Sequence, residues 1–200
     1  MYSKHRLEAL SDAIFAIVMT LLVLELKVPT DVVHGHLWEA LRVDGEDWIA
    51  FFITFLVSAR YWIHQHDVFK LTDNYSHHAV VLTFIFLGFV TILPFSSTLV
   101  GRHASEPLAL VLYCGNQTAI GIALIAKLEF LRHRDHIPKS AEMTRLRLRL
   151  YTITLTMATA AAFANIPQRL YLLIVPAVSI TVSRIIEIRH KRTKAQRTEH

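Results

Sequence analysis

Residues 6–27 read RLEALSDAIFAIVMTLLVLELK, and how this stretch is read decides the fold. It is long enough to cross a bilayer as a helix, yet its first third carries Arg6, Glu8, Ser11 and Asp12. A charge deep in an apolar span costs about 2.5–3.5 kcal/mol at the bilayer centre on insertion scales, so these side chains need partners. At about 100° per residue, Arg6, Leu10, Ala13, Ile17, Leu21 and Leu24 share one stripe. Glu8, Asp12, Phe15, Met19 and Leu22 fall on the other side. One face is an aliphatic ladder with a cation at its mouth. The other carries two carboxylates that must be satisfied within the protein, because lipid offers no hydrogen bonds.

The rest of the chain fits a membrane setting. Of its 200 residues, 53% are hydrophobic, and they come in long runs, as in polytopic membrane proteins rather than soluble domains. The net charge of +5 is unevenly spread, which does not make a nucleic-acid footprint. A lone Cys114 excludes an internal disulfide and a thiolate metal site. No small-residue cleavage site follows the first apolar run, so the first helix is expected to remain in the mature protein.

Six spans can be drawn: 7–28 (ended by Pro29), 48–69, 78–100, 107–131, 146–166 and 168–188. The third contains an internal LPFSST, and the last two form a tight hairpin across Pro167. Sixteen of the 21 Lys and Arg fall at the N-terminus, in the 2–3 and 4–5 connections with their flanks, or in the tail. That bias puts both termini in the cytoplasm. Residues 1–188 read as one transmembrane domain and 189–200 as a basic cytoplasmic tail. There is no internal repeat.

Few residues could carry chemistry. His64 and His66 resemble a ligand pair, but positions i and i+2 on a helix point about 200° apart and cannot share one ion. No metal centre is expected. Asp12 lies at the depth of Trp62, His64 and His66, donors that could satisfy it. Such a network either acts as a functional clamp or proton sensor, or is a polar lock that specifies the fold. The Ile17–Leu21–Leu24 stripe would ordinarily face lipid or a neighbouring helix, but Thr20 beside it and the polar mouth below it weaken that reading, since a helix facing lipid has no use for either. Asn116 and Gln117 are read as satisfying neighbouring helices.

The pattern Arg6-x-x-x-Leu10-Ser11-Asp12, followed by AIFAI and LLVLEL, resembles the signature of one family. It is the prokaryotic branch of the lysosomal potassium channels, the transmembrane-protein-175 type, whose first helix carries R-x-x-x-F-S-D. Tyr61-Trp62, His66, Phe69 and Leu93-Pro94-Phe95 are similar as well, and like that family this chain has no TVGYG filter segment. Leu10 stands where the family has Phe, and Gln65 where it often has a His. The resemblance implies a homotetramer whose four first helices line a central pore. Ile17, Leu21 and Leu24 would form the pore constriction, Thr20 the selectivity hydroxyl ring, and Arg6, Ser11, Asp12, Trp62 and His66 the network anchoring the pore helix.

The combined expectation is an all-α membrane protein with six transmembrane helices per subunit, in the cell inner membrane. Its function would be that of a potassium-permeable cation channel gated by aliphatic rings. It would not be an enzyme, and it would need no cofactor beyond permeating K+. Its partners would be its own copies, the lipid bilayer and monovalent cations, with no nucleic acid. The rivals are a proton-coupled secondary transporter using Asp12 and His66, and a membrane-embedded metal enzyme using the histidines.

Overall fold

The computed structural model describes residues 2–27, 36, 38, 39, 41, 45–134 and 141–162. The chain begins with β1 (Tyr2–Ser3) and α1 (Lys4–Leu24), followed by α2 (Gly45–Phe69) and β2 (Asn74–Tyr75). Then come α3 (His77–Thr91), α4 (Leu93–Arg102), α5 (Pro107–Arg134) and α6 (Ala141–Ala162). The expected sixth span and the basic tail lie outside the described residues. Three stretches among those described are long and apolar enough to cross a membrane: Lys4–Leu24, His77–Arg102 and Pro107–Arg134.

Local chemistry explains most of the boundaries. α1 starts three residues before the expected span, because Lys4, His5 and Arg6 continue the helix past the apolar run. It stops at Leu24, with Glu25 as its C-cap. α3 is started by Ser76, whose side chain accepts from the Ala79 N–H at 3.3 Å, the usual way to satisfy an orphan donor. The third span is two helices meeting at Ile92. Pro94 in the first turn of α4 has no N–H and its ring clashes with a carbonyl one turn back, so the ladder restarts there. α5 opens on Pro107 and closes on Arg132, His133 and Arg134, cations that suit the negative end of a helix dipole.

The core gathers around α1, α3 and α5. Phe15 of α1 meets Phe86 of α3 with ring centroids 6.0 Å apart. Leu7, Val18, Leu87, Ile120 and Leu124 are buried in the same cluster. α5 and α6 approach closely at Gly121, where a Cβ would lie 3.0 Å from the Thr154 Cβ. Glu129 of α5 pairs with Arg147 of α6 at 2.6 Å. A second cluster joins Ala50, Val100, Tyr113 and Cys114 at the far end of α2, α4 and α5. Outside, Phe52, Leu56, Phe84, Leu108, Ile122 and Leu155 are exposed, which leaves an apolar belt.

Candidate functional site: the exposed stripe of the first helix

The helical period of α1 sorts its side chains into two faces. Ser11, Phe15, Val18 and Leu22 are buried, whereas Ile17, Leu21 and Leu24 are 57%, 42% and 74% exposed. Of the expected stripe, only Leu10 turns partly into the core. Thr20 is exposed at the edge of the ladder, and its hydroxyl donates to the carbonyls of Ile17 at 2.8 Å and Ala16 at 3.1 Å. The stripe is therefore an open apolar surface with one hydroxyl, engaged by its own helix, beside it.

The polar network is only partly assembled within one chain. The Trp62 indole donates to Asp12 Oδ1 at 2.8 Å. His66 stacks on Trp62 with centroids 5.9 Å apart and planes 12° apart. Asp12 itself is exposed, because it sits one position round the helix from the buried Ser11. It takes its partner at the surface of the chain rather than in the interior. Ser11 is buried on the inward face, and its hydroxyl finds no partner among the described residues. Arg6 is exposed at the mouth of the stripe. His64 points inward, away from Asp12, and is 2% exposed. The two histidines thus occupy opposite faces of α2. Among the described residues no group of three His, Cys, Asp or Glu could hold a metal ion.

Both ends of α1 are tied to neighbouring elements. β1 pairs antiparallel with β2, Tyr2 opposite Tyr75 and Ser3 opposite Asn74, and Lys4 Nζ meets Asp73 Oδ1 at 2.9 Å. Hydrogen bonding from Lys4, reinforced by its charge, holds the Asp73 carboxyl below its ordinary value. At the other end, Arg102 Nη2 lies 3.3 Å from the Glu25 carbonyl and 3.6 Å from its carboxylate.

One ionisable residue was not anticipated in this role. Lys127 of α5 is fully buried, with its ammonium 3.9 Å from the Phe69 ring centroid and 5.4 Å from that of Tyr75. Counted only as a charge, it reads as part of the cytoplasmic flank. The signal for its burial was its register: Ile120, Leu124, Lys127 and Leu131 recur at core-face spacing.

The chain is similar to known proteins over much of its length. Residues 6–94, which hold α1, α2, α3 and the break at Ile92, match the family described as the endosomal/lysosomal potassium channel TMEM175. A potassium channel of Streptomyces collinus is 28% identical over 180 residues, covering 85% of this chain and 87% of that protein. The endosomal/lysosomal proton channel TMEM175 of Gallus gallus is 32% identical over 112 residues, covering 52% of this chain and 22% of that protein. Among solved structures, the lysosomal potassium-selective channel TMEM175 homolog from Chamaesiphon minutus superposes with a TM-score of 0.77 at 25% identity. That likeness covers 93% of this chain and 97% of the other. The first-helix pattern, the broken third span and the matched length together make this chain similar to the TMEM175-type membrane ion channels.

Proposed function

We propose that the chain is the subunit of a potassium-permeable cation channel, a homotetramer in which four copies of α1 surround the conduction path. The carrying observation is the exposed Ile17–Leu21–Leu24 ladder on a helix that buries Leu7, Phe15, Val18 and Leu22 on its other side. One such stripe cannot enclose a path, but closed symmetry supplies the others. Rings of aliphatic side chains gate by dewetting, and a cation passing them sheds part of its water shell. Thr20 suits the role of selectivity ring, since its proton is engaged by its own helix and only oxygen lone pairs face outward. The Trp62–Asp12 hydrogen bond, with His66 stacked on Trp62, holds α1 at the angle the path requires, and Arg6 and Ser11 are assigned to the same network by the resemblance. The channel domain is residues 1–188, followed by the tail 189–200, in the cell inner membrane with both termini cytoplasmic. Permeating K+ is the only ion required, and no cofactor takes part.

Two measurements test this. Native mass spectrometry in lipid-preserving detergent is expected to show a tetramer, and a stable monomer or dimer would overturn the pore. In planar bilayers under K+ and Na+ gradients, unitary current steps with a reversal potential favouring K+ are expected. Slow, stepless flux coupled to protons would instead support a transporter working through Asp12 and His66.

A further inference from the structure

The first turns of α6 alternate arginine with leucine: Arg145-Leu146-Arg147-Leu148-Arg149-Leu150. Positions two apart on a helix point about 200° apart, so the three guanidiniums do not share a face. Leu146 and Leu150 are buried, whereas Leu148 is exposed. The helical register puts Arg147 on one flank of Leu148, and Arg145 with Arg149 on the other. The exposed side of α6 continues from Leu148 through Tyr151 to Leu155, and this spacing of three and four residues makes one apolar stripe.

Arg147 is fixed at the head of that stripe. Its Nε reaches Glu129 Oε1 of α5, and its guanidinium carbon lies 5.9 Å from the Tyr151 ring centroid. Arg132 of α5 meets the other oxygen of the same carboxylate through Nε at 3.0 Å. All three side chains are half-buried. Two guanidiniums on one carboxylate leave an excess of one positive charge, and each guanidinium carries four N–H donors besides Nε.

A cation that only sets topology has to stand on the correct side of the bilayer and can do so in water. Arg132 and Arg147 are instead held in place by a shared carboxylate, directly above apolar surface. A fixed guanidinium fork matches phosphate oxygens, and the stripe beneath it matches a hydrocarbon chain. From Arg147 to Leu155 the helix rises about 12 Å, most of one leaflet's share of the roughly 30 Å hydrocarbon core.

We propose that this end of α5 and α6 binds an anionic glycerophospholipid. The phosphodiester sits on Arg147 and Arg132, and an acyl chain lies along Leu148, Tyr151 and Leu155. The excess positive charge sets the preference: a phosphatidylglycerol headgroup is a net anion, whereas phosphatidylcholine brings its own cation to a site that already has one too many. The proposal rests on the chain crossing the membrane and not on the pore assigned to α1.

The test titrates the full chain in mild detergent with phosphatidylglycerol or phosphatidylcholine of the same acyl chains, and native mass spectrometry counts the lipid retained. Phosphatidylglycerol is expected to bind about tenfold tighter, the effect of one charge-assisted hydrogen bond. Arg147→Gln is expected to abolish that preference, and Lys194→Gln, which removes the same charge from the tail, to leave it intact. Arg147→Lys keeps a cation for Glu129 but loses the fork. It is expected to weaken phosphatidylglycerol binding about threefold or more, and it decides the matter if the glutamine variant does not fold. Excess inorganic phosphate is expected not to displace the lipid, because it has no chain to lay on the stripe. Equal retention of the two lipids, the outcome if residues 168–188 or a second copy cover this face, overturns the proposal. So does an equal loss of preference in Lys194→Gln and Arg147→Gln, unchanged binding in Arg147→Lys, or displacement by phosphate.

Discussion

Trp62 Nε1 donates to Asp12 Oδ1 at 2.8 Å, joining α1 and α2 across fifty positions of sequence. A hydrogen bond to a carboxylate is stronger than a neutral one. Here it lies at the surface of the chain. Trp62→Phe keeps a ring for His66 to stack on and removes the donor, so it is expected to cost about 1 kcal/mol. Asp12→Asn, which keeps an acceptor, is expected to cost less than Asp12→Ala. Thermal unfolding of the three variants in detergent checks the order, and equal midpoints would show that the bond does not anchor α1.

Ile17 and Met19 separate lining from packing. Ile17 is exposed, whereas Met19 packs against the core. Ile17→Asn is expected to raise single-channel current and erode the preference for K+ over Na+, because a polar ring wets the constriction. Met19→Asn puts an amide into the core and is expected to destabilise by about 1–3 kcal/mol, with conduction unchanged in the protein that folds. Bilayer recordings paired with melting curves read both effects. No difference between the two variants would remove α1 from the conduction path.

Lys127 is a buried cation held by aromatic faces rather than by hydrogen bonds. A well-packed apolar replacement for a buried charge is often neutral or stabilising, while the lost cation–π contact is worth up to about 2 kcal/mol. Lys127→Met is therefore expected to melt within a few degrees of the unmodified protein. Lys127→Ala leaves a cavity and is expected to lose about 2 kcal/mol or more. If Met is as damaging as Ala, the charge itself is required.

Asp73 gives a pH dependence with a definite sign. Its carboxyl is held below the ordinary value by Lys4, so its contribution is present above the unfolded value and is lost as pH falls through the lowered folded one. The pair is exposed and the effect modest. Asp73→Asn at neutral pH is expected to reproduce the acid state, with faster amide exchange at residues 2–4 and 73–75 and unchanged exchange in the middle of α1. Mass-spectrometric exchange on peptides from those segments measures it.

The faces of α1 were legible in part, with Phe15 and Leu22 on one side and Ile17, Leu21 and Leu24 on the other. Asp12, which the sequence places with Phe15, is instead exposed. That α1, α2 and the break at Leu93-Pro94 belong together was readable from motif residues. The polarity of α2 was not legible, since apolar periodicity points to its exposed face and the buried one is lined by Thr54, Ser58, Tyr61, His64 and Gln65. Tertiary partners decide such a face: Ser97 and Tyr113 come from α4 and α5, and no local pattern in α2 announces them. Lys127 escaped for a related reason, because its burial depends on rings supplied by Phe69 and Tyr75.

The two tethers on α1 limit how that helix can move. Lys4 is held by Asp73 at one end and Glu25 by Arg102 at the other. A piston-like shift by one helical turn, about 5.4 Å, would sever both at once. A turn of roughly 60° round the long axis would break them too, and would pull Asp12 from the Trp62 indole and Phe15 from the core. A slight bow between the fixed ends would sever neither. A helix fastened in this way behaves as a strung bow, and flexure of its middle is the freedom its ends leave open.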